Sequence, residues 1–224
     1  MPGSIYHDII AFVKRPETNP HVEPLTITNW LKILGGLIIF VIPYVFILHL
    51  ADLSELDHKM QEMWDDNKVL IAFMAIFIGP FLEELMFRLH LRQSTQTIMV
   101  SLLLSLFIVF DLPIMATLYI AYLGLMLYRW RQEQPLPMPI VVYVSNAFFA
   151  LVHLANFSNF DLSSHIIYIP LLVGAQFVIG FVFCFVRIHY GIWHAIILHG
   201  AYNASLIIPA LLFEDSLLML DPTY

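Results

Sequence analysis

Residues 69–88 read VLIAFMAIFIGPFLEELMFR, fourteen uncharged residues that run directly into Glu83, Glu84 and, four further on, Arg88. A transmembrane helix takes about 20 mostly apolar residues, so this stretch reads as one span with three charges in its last third. On insertion scales each such charge costs about 2.5–3.5 kcal/mol near a helix centre. Three together require pairing or a hydrated cavity, and they mark the first candidate site.

The remainder of the chain points to the same solvent. Of its 224 residues, 60% are apolar and 12% charged, against about 45–50% and about 25% in soluble domains. Mean hydropathy is +0.80. The net charge of −7 speaks against a nucleic-acid partner. The lone cysteine, Cys184, lies in an apolar run and reads as a small buried hydrophobe. The expected fold is all-α, a polytopic transmembrane helix bundle of about seven spans at 30–50, 69–88, 96–111, 114–129, 138–156, 166–187 and 190–213. Asp111 beside Pro113 is expected to turn the chain between the third and fourth.

Three regions follow: an N-terminal cytoplasmic or interfacial segment at 1–29, the bundle at 30–213 with its motif-bearing core at 69–213, and a tail at 214–224. The apolar cluster at 5–13 is too short for a signal-peptide core, so no cleaved leader is expected. Ile5, Ile9, Phe12 and Val13 recur at helical spacing before Lys14 and Arg15, the pattern of a piece lying on the membrane surface or fraying from it. With seven spans and the N-terminus inside, Lys14, Arg15, Arg92, Arg129, Arg131 and Arg187 fall on the cytoplasmic side together with Arg88, against Lys59 and Lys68 outside. Cytoplasmic loops carry the Lys/Arg excess, so an integral, plasma (inner) membrane protein with a cytoplasmic N-terminus is expected. The acidic loop 51–68, with Asp52, Glu55 and Asp57, carries little weight in that rule.

At about 100° per residue, Glu84 and Arg88 share a helix face and suit an ion pair. Glu83 points roughly 140° away from Arg88 and is left available; a desolvated carboxylate of this kind suits general-base work. His153 ends the fifth span four residues after Phe149, whose ring can pack against the imidazole. In the last span His199 and Asn203 share a face one turn apart, with Gly200 between them permitting close approach of a neighbouring helix. His194 lies about 140° round from His199, poorly placed to join it on one metal.

If these spans face a common cavity, they hold what amide hydrolysis needs. Glu83 with His153 deprotonates water, and His199 with Asn203 donates to the developing oxyanion. Glu83, His153 and His199 also make a zinc set with an open position, although no His-Glu-x-x-His helix is present. The expectation is chemistry without a cofactor, with Zn2+ as the alternative.

Glu-Glu-x-x-x-Arg at 83–88, Phe-x-x-x-His at 149–153 and His-x-x-x-Asn at 199–203, in this order on separate apolar helices, resemble the CPBP family of intramembrane proteases. That family includes the type II CAAX prenyl endopeptidases and the bacterial Abi, or bacteriocin-immunity, proteins. The resemblance implies a helical bundle around a polar, water-filled catalytic chamber. Glu83 would activate water with His153 as its partner, His199 and Asn203 would stabilise the oxyanion, and Glu84 and Arg88 would support them. It implies an endopeptidase acting on a membrane-associated or prenylated-type peptide or protein substrate, with membrane lipid as the other partner. The chain departs from the family at His194, where proline is common. Two rivals stand beside this reading: a non-catalytic scaffold or immunity protein of the same fold, and a small proton-coupled transporter using Glu83, His153 and His199 as a relay.

Other polar and aromatic residues take plainer readings. His90, two turns beyond Glu83, is expected at the membrane interface with Arg92, and His49, His58, His165 and His189 near span ends. Trp30, Trp64, Trp130 and Trp193 suit interfacial belts.

Overall fold

Proline and serine set where the helices begin. Pro80, Pro113, Pro139 and Pro170 each stand in the first turn of a helix, where the missing N–H has no intrahelical partner to lose. Ser94 and Thr97 close a reciprocal capping box at the start of another. In the computed structural model, which describes residues 4–18, 22–50, 59–108, 112–157 and 165–218, the helices are α1 (Ile5–Lys14), α2 (Ile27–Leu50), α3 (Lys59–Phe73), α4 (Gly79–Phe87), α5 (Thr95–Leu104), α6 (Pro113–Arg131), α7 (Met138–Val152), α8 (Ile169–Tyr190) and α9 (Ile192–Leu218). A π-helical turn, Met74–Ile78, joins α3 to α4, and short 3-10 turns extend α4, α5 and α7. The chain is a polytopic helical bundle, and no strand occurs among the described residues.

Among the described residues five helical stretches are long and apolar enough to cross a membrane: Ile27–Leu48, Asp66–Arg92, Met138–Asn156, Ile166–Tyr190 and Ile192–Leu212. Thr95–Ile108 is apolar but shorter; at 1.5 Å per residue it reaches about 21 Å, against a hydrocarbon core of about 30 Å. α6 has 19 residues but is outside the five, because Tyr119, Tyr122, Tyr128, Arg129 and Arg131 dilute its apolar content. Asp52, Glu55, Asp57 and His58 of the first acidic loop, the turn residue Asp111 and the tail beyond 218 lie outside the described residues.

α8 is the central helix. Of its span 61% is buried, against 17% for the first span, and it packs on α7, α9, α2 and α1. Phe183, Cys184, Phe185 and Val186 are fully enclosed there. Gly191, at φ +102°, makes the abrupt turn from α8 into α9 that a side chain would strain. The outer faces of α2, α3 and α9 remain apolar, with Ile39, Phe73 and Ile197 exposed, as lipid-facing surface must be.

α1 packs part of its apolar side on protein. Ile5 and Phe12 are buried, Phe12 packs edge-on to Phe185 and His189, and the Tyr143 hydroxyl donates to the Val13 carbonyl at 2.6 Å. Tyr190 likewise donates to Glu23 O at 2.6 Å. The N-terminal segment is thereby fastened across one end of α7 and α8, the end where Arg187 also reaches Arg88.

Candidate active site

α4 is nine residues long, carries Glu83 and Glu84, and packs on α9, α5 and α7. The expected i,i+4 pair forms, with Arg88 Nη1 donating to Glu84 Oε1 at 3.0 Å and neither side chain exposed. The same Oε1 accepts from His199 Nδ1 at 3.0 Å. A carboxylate can only accept, so Nδ1 carries the proton and Nε2 faces the other way. It lies 3.7 Å from Glu83 Oε2. His199 therefore stands between the two adjacent glutamates, with Glu84 enclosed and Glu83 33% exposed. Glu83 is not isolated, as its helix angle alone suggested; it is the carboxylate of the two that solvent or substrate can reach.

Aromatic rings hold this cluster. Arg88 lies over the Phe149 ring at 3.6 Å and over Phe183 at 5.6 Å, and Phe183 stacks on His199 with centroids 4.4 Å apart. Cation–π contact of this type compensates for missing water around a guanidinium. Phe149 also meets His153 edge-on at 4.8 Å, as their spacing anticipates. His153 Nδ1 donates to the Phe149 carbonyl at 2.7 Å, which turns Nε2 away from its own helix. His153 lies within electrostatic range of Glu83 and His199.

Asn203 reaches back to the π-helical turn, donating from Nδ2 to Ala75 O at 2.8 Å. One N–H of its carboxamide remains uncommitted by that bond. Beside it Gly200 does what its position suggested: a Cβ there would stand 2.8 Å from Ile76 O. π-helical turns recur at functional sites, and this one presents its carbonyls to the helix carrying His199.

Two residues at the site were not anticipated from sequence. Asn146, fully buried on α7, donates to Phe177 O on α8 at 2.7 Å. Gly180 leaves the room for it: a Cβ would land on Asn146 Oδ1, 2.9 Å from Phe149 Cδ1 and 3.1 Å from Arg88 Nη2. Asn146, Phe149 and His153 fall at i, i+3 and i+7, so a polar residue on the His153 face was the available signal. His194 is not part of the cluster; it is exposed, with Nδ1 on Tyr190 O at 2.7 Å. His90 is also misplaced by the sequence reading. It is completely buried, between Ser101 and Ser145, rather than at the interface beside exposed Arg92.

Among the described residues no three His, Cys, Asp or Glu side chains are grouped to hold a metal ion. His199 and Arg88 share Glu84 Oε1, and His153 Nδ1 is bonded to backbone. By contrast, Glu83 Oε2, Glu84 Oε2, Arg88 Nε and Nη2, and Asn146 Oδ1 are buried atoms without a hydrogen-bond partner in the protein.

Comparison with curated proteins and with solved structures gave no match. A family model described as Type II CAAX prenyl endopeptidase Rce1-like matches residues 65–205, more than half of the chain. That interval contains α4, the end of α7 and His199 with Asn203. The matched interval and the apolar bundle make this an integral membrane protein of the type II CAAX prenyl endopeptidase Rce1-like family.

Proposed function

We propose that this protein is an intramembrane endopeptidase in which Glu83 activates water against a peptide bond. The observation that carries the reading is His199 held between Glu84 Oε1 and Glu83 Oε2, with Glu83 the exposed member. The Glu83 carboxylate takes a proton from water as the water oxygen bonds to the scissile carbonyl carbon, and the carbonyl π electrons move to its oxygen. His199 and Asn203 donate to that oxyanion. As the C–N bond breaks, Glu83 returns the proton to the leaving amine, giving a carboxylate and an amine.

Each supporting residue has a physical task. His199 Nδ1 is committed to Glu84, so donation from Nε2 requires a ring carrying both protons. His153, its Nδ1 occupied by Phe149 O, offers Nε2 to the water or to Glu83. No metal enters this scheme. The substrate class is a peptide presented at the membrane, with a prenylated C-terminal CAAX-type peptide as the first to try, since the family carries that name. In this reading the N-terminus would lie on the cytoplasmic side, together with Lys14, Arg15, Arg92, Arg129, Arg131 and Arg187.

The test uses the full chain in proteoliposomes with a fluorogenic farnesylated CAAX-type peptide. Glu83→Gln is expected to reduce cleavage by about 100-fold or more, in line with loss of a general base. His153→Ala and His199→Ala should each lose at least about tenfold, and a chelator should leave the wild type unchanged. Wild-type rates from Glu83→Gln would sink the mechanism, and chelator-sensitive cleavage restored by zinc would replace it with a metal-dependent one.

A further inference from the structure

The far end of α4 shows an arrangement that the proposed chemistry does not use. The last carbonyls of an α-helix have no partner within it, and in a membrane interior each unsatisfied one costs several kcal/mol. α4 ends inside the protein, and five consecutive carbonyls there each accept from a side chain of another helix. Ser101 of α5 donates to Leu85 O at 2.9 Å, Tyr119 of α6 to Met86 O at 2.7 Å, and Ser145 of α7 to Phe87 O at 2.8 Å. Arg187 of α8 completes the series, with Nε on Arg88 O at 3.1 Å and Nη2 on Leu89 O at 3.3 Å. His90 lies between two of the members, with Nδ1 3.2 Å from Ser101 Oγ and Nε2 2.6 Å from Ser145 Oγ, so a neutral ring that donates from Nδ1 shares the single Ser145 hydroxyl proton with Phe87 O. Ser101, Tyr119, Ser145 and His90 are all fully enclosed.

We infer that Ser101, Tyr119, Ser145 and Arg187, with His90 between the two serines, form a collar of positioning residues that fixes the rotation and depth of α4 and so sets Glu83 and Glu84 against His199. The inference rests on the proposed peptidase only for its kinetic readout. The geometry behind it is direct. Glu84 and Phe87 are three residues apart, about 4.5 Å along a rigid helix, so a shift at the collar reaches the glutamates with little loss. The four donors come from four helices, so they fix α4 against rotation in either sense. A single cap would not. Arg187 spans two carbonyls with its planar fork, a task to which a lysine is unsuited.

The experiment reads position apart from activity. Histidine-15N-labelled protein in lipid bilayers reports the protonation and bonding of both His199 ring nitrogens, assigned by loss of their signals in His199→Gln. Tyr119→Phe keeps the ring packed on Phe87 and removes only the hydroxyl; Ser145→Ala and Ser101→Ala remove the other two hydroxyl donors, and Ser145→Thr restores one. The exposed Tyr128→Phe is the control. Tyr119→Phe and Ser145→Ala should shift the His199 Nδ1 resonance, and in the peptide assay should lower kcat about tenfold with KM changed less than about twofold, the split expected for lost transition-state alignment. Ser145→Thr should recover the wild-type resonance and most of kcat. A fall in the apparent unfolding midpoint with His199 resonances and kcat unchanged would make the collar merely structural and overturn the inference. If the wild type cleaves no peptide, the proposed function fails, and the His199 resonances still decide the collar.

Discussion

The two ends of α4 treat polar atoms in opposite ways. At the glutamate end, Glu83 Oε2, Glu84 Oε2 and two Arg88 nitrogens are buried without a hydrogen-bond partner in the protein. At the other end, within two turns, the carbonyls from Leu85 to Leu89 are all bonded by side chains from α5 to α8. Buried polar groups are nearly always satisfied, so this clustering of exceptions coincides with the proposed active site, and the proposed collar lies where the bonds are complete.

Breaking the open end at its charge pair should have the largest effect. Arg88→Ala leaves the buried Glu84 without its cation, and loss of one partner of a buried pair costs about 3–5 kcal/mol. The apparent unfolding midpoint in detergent should fall sharply, or the protein should fail to accumulate; wild-type stability would show that the pair is not needed for folding. Crowding the same end comes next. Gly180→Ala forces a methyl onto Asn146 Oδ1 and against Phe149, and overpacking of this kind costs about 1–3 kcal/mol. The midpoint should drop and cleavage should fall with it, whereas an unchanged protein would mean that α7 and α8 can separate freely.

Smaller effects sharpen the comparison. Asn203→Leu strips Ala75 O of its 2.8 Å donor, a loss of about 1–3 kcal/mol for a buried acceptor. Its cleavage rate should fall further than its stability does if the second N–H serves the oxyanion, and in proportion if Asn203 only ties α9 to the π-helical turn. The smallest change is expected at exposed His194, whose ring bonds only Tyr190 O. His194→Phe should alter stability by no more than about 0.5 kcal/mol and leave cleavage within about twofold. A larger loss would bring His194 back into the site.

Much of the site was legible where the contact is local. Glu84 with Arg88 and Phe149 with His153 are i,i+4 pairs, and helix geometry alone brings such residues together. Gly200 was legible for a similar reason, since a glycine beside two polar residues in an apolar helix signals close approach. The saturated end was not legible. His90 reads as interfacial because it lies two residues from Arg92, and only the packing of α5 and α7 encloses it. Among the described residues five candidate spans and the shorter apolar helix α5 stand beside the seven read from sequence, because α5 is short and the tyrosines and arginines of α6 lower its hydropathy.

By itself, the sequence determined that the chain lives in lipid, that its elements are helices, and which few polar residues lie within them, because composition and the 3.6-residue period are properties of each segment alone. Only the tertiary structure decided that His199 stands between Glu83 and Glu84, that Gly180 makes room for Asn146, and that four helices close on the end of α4. The reason is one of phase: a helix apolar on every side carries no mark of which face turns inward, and its rotation is set by the neighbours it packs against.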